Sequence, residues 1–205
     1  MDDLVITLDI FIEICGYLHY PSLTVFSRVC KYSHDHWKEW VRALYSEDIN
    51  SILNRTQNLS SLILFTNLEK INMRYVNSTH IFGHYHFPPL QLRRLLKSFP
   101  RLTALDISTR SDVCDADITD LVQLKRLHLY LNTQITDECI QRLTNLTALD
   151  ISLSSISDQG IANLTNLRTL DVDFSINIKE AMRLPKLIYI RRHSYPDEPI
   201  YFVRR

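Results

Sequence analysis

Glycine is almost missing from this chain, with three residues in 205: Gly16, Gly83 and Gly160. A phosphate-cradling loop needs several close together, so nucleotide chemistry of that type is excluded. Net charge of either sign is missing too, since Lys plus Arg and Asp plus Glu are 23 each. Nothing then draws the molecule toward nucleic acid or an anionic membrane, and neither is expected as a partner. Long apolar runs are lacking. Ile10 to Cys15 is interrupted by Glu13 and falls far short of the ~20 residues of a membrane span. The acidic start, Met1-Asp2-Asp3, lacks the basic region of a secretory signal. Cysteine is sparse: Cys15, Cys30, Cys114 and Cys139 form no CxxC pair, which predicts reduced thiols in an intracellular chain of the cytoplasm or nucleus. No G-x-S-x-G or HExxH set is present, so neither an active site nor a cofactor is expected. Cys139 and His128 do not amend this, because their positions predict a helix side and a strand face far apart.

What is there is a period. "LTNLTALDIS" from Leu143 returns as "LTNLRTLDVD" from Leu164. The pattern L-x-x-L-x-L starts at Leu68, Leu102, Leu124, Leu146 and Leu167, with a looser copy at Leu187. A further apolar residue stands three positions earlier in each unit, at Phe65, Phe99, Leu121, Leu143, Leu164 and Leu184. Alternation in "ALDIS" puts Leu149 and Ile151 on one side of a strand and Ala148, Asp150 and Ser152 on the other. Ser157 or Asp158 is placed to cap a short helix that turns Ile161 and Leu164 inward. One unit of this size cannot cover its apolar face, but stacked copies can.

These units resemble leucine-rich repeats. The resemblance implies an α/β solenoid, a right-handed β-α coil with a parallel inner sheet, over residues 68–195. The segments "ITDECI" and "ISDQGI" look most like the repeats of intracellular ubiquitin-ligase receptors. The family's ladder position holds Asn132 in one unit but Ser154 and Ser175 in the next two. An insertion over about 74–90 carries His80, His84 and His86 without a local Cys or carboxylate, so an aromatic packed loop is expected and no metal. Residues 196–205, with "IYFV" at 200–203, read as a C-terminal cap.

Residues 1–45 do not repeat. Ile10, Phe11, Ile14 and Leu18 recur at helical spacing, and Leu23, Phe26, Val29 and Cys30 do so again after Pro21. The order from Asp9 to Lys31, "DIFIEICGYLHYPSLTVFSRVCK", resembles an F-box, the all-α module by which substrate receptors dock on the adaptor of cullin-based (SCF) ubiquitin ligases. The resemblance implies an adaptor-facing surface of Ile10, Phe11, Ile14, Leu18, Leu23 and Val29, and through the adaptor a cullin. The family's Leu-Pro before the first helix is Ile6-Thr7 here. Helices that merely cap the coil are the competing reading, and a decoy that binds the adaptor without delivering a target is a third. Residues 46–67 are expected to be a linker helix and a degenerate first repeat, "LSSLIL".

Binding then falls to the strand positions that point away from the core. Their central row reads Asn72, Asp106, His128, Asp150, Asp171 and Arg191. Beside it the spacing predicts Lys70, Arg126, Tyr130, Ser152, Asp173 and Tyr189. With strands about 4.8 Å apart, the aspartates make a mostly acidic stripe around His128, which suits a target protein carrying Lys or Arg.

Overall fold

The computed structural model describes residues 42–44, 67–74, 89–193 and 200–203. The adaptor-facing residues expected between Ile10 and Val29, the "LSSLIL" segment and the three insertion histidines lie outside them. In chain order the elements are β1 (Ala43–Leu44), β2 (Lys70–Asn72), α1 (Pro89–Lys97), β3 (Ala104–Asp106), α2 (Asp115–Ile118), β4 (Arg126–His128), α3 (Asp137–Arg142), β5 (Ala148–Asp150), α4 (Asp158–Ile161), β6 (Thr169–Val172), α5 (Ile178–Ala181), β7 (Tyr189–Arg192) and β8 (Ile200–Val203).

The strands form one sheet in sequence order. Every pair from β1 to β7 is parallel, and β8 closes the sheet antiparallel to β7. "LTALDI" and "LRTLDV" are therefore adjacent parallel rungs, with Leu149 opposite Leu170. This is the leucine-rich-repeat solenoid the period predicts. Leu105, Leu127, Leu149, Leu170 and Ile190 stack in one column, and the leucines that open each unit, from Leu102 to Leu187, are fully buried. Burying one such side chain is worth roughly 1.5–3 kcal/mol, so each rung depends on the neighbour that covers it.

Polar side chains tie the rungs as well. Asn145 Nδ2 donates to the Val122 carbonyl at 2.8 Å, and Asn166 Nδ2 repeats the bond one rung on to Thr144 at 3.1 Å. On the helical side the Asp115 carboxylate accepts the Thr136 N–H and hydroxyl, Asp137 accepts those of Ser157, and Asp158 accepts the Asn177 N–H. The recurring "TN" and "[ST]D" pairs are thus bonds between rungs. Ser157 is the helix cap, its oxygen accepting the Gln159 N–H at 3.2 Å. Asn132 is fully buried and bonds backward to the Arg110 carbonyl while accepting the Gln134 and Ile135 N–H groups. Ser154, one rung on, reaches only its own loop, donating to Ile151, so this ladder stops there.

Two expectations need correction. Residues 1–45 are expected to be an all-α module, but Ala43–Leu44 within them is a strand and supplies the rung ahead of Lys70–Asn72. Leu44 is fully buried, and its place in the sheet comes from that burial and from pairing with β2. The looser unit at Leu187 is expected to lack a proper strand ending, yet Tyr189–Arg192 is a complete strand, paired along four residues with β6 on one side and with "IYFV" on the other.

Candidate functional site

The outward row of the sheet holds the residues expected of it. Asn72, Asp106, His128, Asp150, Asp171 and Arg191 are successive Cα partners across β2 to β7. Alternation puts them there, since each is flanked by a buried aliphatic residue of its own strand.

The flanking residues divide differently from expectation. Lys70, Ala104, Arg126, Ala148, Thr169 and Tyr189 form one row at the strand starts. Tyr130, Ser152 and Asp173 lie on the far side of the central row, past the strand ends, so one expected row is really two. Ser152 is fully buried and offers a partner nothing. The miss has a plain cause: alternation fixes the face of a strand residue, and both sets satisfy it.

The acidic stripe is also less acidic than expected. Arg191 pairs with Asp171 across one rung. His128 Nδ1 lies 3.8 Å from Asp150 Oδ2, too far for a hydrogen bond but within ion-pairing distance when the imidazole is protonated. The neighbouring Asp150 carboxylate, helped by Asp106 and Asp171, raises the His128 pKa above the ordinary imidazole value against the opposing effect of burial. Asp150 is itself 8% exposed; burial pushes it up, but His128 and the Ser152 N–H outweigh that and hold it below the usual carboxylate range. For Asp171 burial wins over Arg191, and its pKa is raised. Asp173 is held low by Ser175 and the Leu153 N–H in spite of burial.

The side chains of this face also shape the backbone. Asn72, Asp106 and Asp150 each accept, through Oδ1, the N–H two residues ahead at 3.0 Å. Asp173 does the same for Ser175 at 2.8 Å. Each closes an Asx-turn as the chain leaves the strand. Asp106 also lines a hollow of about 100 Å³ together with Lys70, Ala104, Arg126 and His128. Ala104 opens this space because its neighbours in the row are long. The sequence signal for it, a small residue between Lys70 and Arg126 in one column, is visible once the rungs are aligned.

Cys139 and His128 are not brought together. Cys139 is buried on α3, where loss of solvent pushes its thiol pKa to about 11, and it accepts a bond from the Thr119 hydroxyl at 3.3 Å. Among the described residues no group of three or more His, Cys, Asp or Glu is placed to hold a metal ion. No described helix is long and apolar enough to cross a membrane.

No family model and no curated protein matches the chain. Solved structures do. Internalin C2 of Listeria monocytogenes aligns over 78% of this chain and 76% of its own, at 20% identity and a TM-score of 0.48. The structure of the yeast Rad7 and Elc1 complex aligns over 87% of this chain and 67% of the matched one, at 14% identity and a TM-score of 0.40. TLR13, in its complex with ssRNA13, aligns over 71% of this chain but only 24% of its own, at 18% identity and a TM-score of 0.42.

Proposed function

We propose that this chain is a non-catalytic binding protein, the substrate-recognition subunit of an SCF-type ubiquitin ligase. Residues 1–45 take the adaptor, and through it a cullin; the outward sheet face takes the target. The observation that carries the reading is the central row, which places six polar or charged side chains on successive rungs. Asp106 is the focus, because the other two aspartates of the row, Asp150 and Asp171, two and three rungs along, face His128 and Arg191. A Lys or Arg of the target would meet the Asp106 carboxylate, which is already fixed by its own backbone.

The support for the adaptor is the resemblance of Asp9 to Lys31 to an F-box. Pull-down with purified adaptor tests it. Charged residues at Ile10, Phe11 and Leu18 should abolish capture while the repeats stay folded by circular dichroism. No capture by the wild-type chain at micromolar concentration would favour the second reading, a scaffold whose leading helices only cap the coil. Ubiquitination of a captured target separates a receptor from a decoy.

The target site is tested by Asp106→Asn, which keeps the oxygen for Ser108 and removes the charge. Capture of a basic target should fall about tenfold, as for loss of one charged contact. Unchanged capture would remove Asp106 from the site.

A further inference from the structure

The rim of the sheet where the chain enters the strands has an unlike character. Backbone bonds align Lys125, Thr147 and Arg168 on consecutive rungs: Thr147 N–H donates to the Lys125 carbonyl and Arg168 N–H to the Thr147 carbonyl, each at 2.8 Å. Beside them run Gln123, Asn145, Asn166 and Lys186. Together these rows line a groove of about 500 Å³ that contains three cations and no carboxylate. The amide nitrogens of Asn145 and Asn166 are spent on the rung behind, and Lys186 Nζ is held to Asn166 Oδ1 at 2.7 Å. The amides therefore stiffen the groove floor, while Lys125 and Arg168 are exposed and, among the described residues, have no ion-pair partner. Elsewhere the same protein pairs its cations readily, as Lys97 with Asp120 and Arg110 with Asp112.

We infer that this groove binds an extended acidic segment of a partner protein, a site separate from the aspartate row and independent of what residues 1–45 do. Lys125 and Arg168 are two rungs apart, about 10 Å, which is the span of about three residues of extended chain. Carboxylates spaced three residues apart would meet both cations. The lining residues include no aromatic ring on which a base could stack, which favours a peptide over single-stranded nucleic acid.

Fluorescence anisotropy with the full chain tests this, using a labelled peptide with Glu at every third position and an otherwise identical peptide with Gln. The Glu peptide should bind saturably and more weakly as salt rises, and the Gln peptide should not. Lys125→Glu with Arg168→Glu should weaken binding at least tenfold, while Glu180→Gln on the helical side leaves it unchanged. Should charge reversal unfold the chain by circular dichroism, Lys125→Gln with Arg168→Gln decides the matter, with a loss of about fivefold expected. The inference fails if the Glu peptide does not saturate up to ~1 mM protein, if the Gln peptide binds equally, or if the rim variants bind within twofold of wild type. It fails too if a single-stranded oligonucleotide displaces the peptide and binds more tightly.

Discussion

The carboxylate of Asp137 reaches across one rung and accepts both the N–H and the hydroxyl of Ser157, the N–H at 2.8 Å. Asp115 does the same to Thr136. One side chain thus satisfies two donors at the start of the next helix, where the first N–H groups have no partner of their own. Asp137→Ala should cost about 1–3 kcal/mol, and Ser157→Ala about 1 kcal/mol. Asp137→Asn, which keeps an acceptor for the N–H, should cost less than Asp137→Ala. Thermal denaturation of the two alanine variants and the double variant checks this: the double loss should be smaller than the sum, because both remove the same contact. Additive losses would mean that the bond contributes nothing.

Gly160 sits under that carboxylate. A Cβ built there would lie 2.4 Å from Asp137 Oδ1 and 2.8 Å from Ile156 Cγ2. Helix propensity alone favours Ala over Gly by about 1 kcal/mol. Crowding should reverse the sign, so that Gly160→Ala loses about 1–3 kcal/mol. In an Asp137→Ala background the loss should shrink, since the nearest atom is gone. Chemical denaturation of the four proteins measures this, and a stabilising Gly160→Ala would refute it.

His128 provides a pH dependence. Its folded pKa lies above the ordinary value near 6.5 because of Asp150, with Asp106 and Asp171 adding. The imidazolium therefore adds stability that is fully present below pH ~6.5 and lost as pH rises through the folded pKa. The stability lost on Asp150→Asn should accordingly be larger at pH ~6 than at pH ~8.5. Nuclear magnetic resonance titration of the imidazole should give a midpoint above ~6.5 in the wild type, moving down in Asp150→Asn. A midpoint unmoved by the substitution would leave the 3.8 Å approach without electrostatic effect.

Most of the fold was legible in the spacing of leucines, because that spacing is itself the packing: Leu149 can lie opposite Leu170 only if the two units are stacked rungs. The central row was legible for the same reason. Less visible was what the polar repeats do. "[ST]D" reads locally as a helix start, and only the stacked rungs show Asp137 serving the following unit. Charge pairing was hidden too. Asp171 and Arg191 are 20 residues apart in the chain, and whether they meet depends on side-chain rotamers that spacing does not determine. The strand at Ala43–Leu44 was missed because two residues carry no periodicity, and their place in the sheet comes from their pairing with β2.

Three turns repeat a costly backbone. Thr109, Leu131 and Leu153 have φ of 62°, 58° and 54°, the left-handed region that residues other than Gly, Asn and Asp avoid. At Leu153 the conformation is fixed from outside, since its N–H donates to Asp173 Oδ2 at 2.8 Å. Leu153 is 48% exposed, so little packing is at stake. Leu153→Asn should therefore stabilise the chain by up to about 1 kcal/mol, the amide tolerating the turn that Leu resists. Leu153→Gly should be nearly neutral, because relief of strain is offset by the greater freedom of the unfolded chain. Leu153→Ile should lose more than about 1 kcal/mol, as a β-branched side chain fits this region worst. The order Asn, then Gly and Leu, then Ile in urea denaturation checks the argument. If Asn proved less stable than Leu, the exposed leucine would be holding a contact that outweighs its strained backbone.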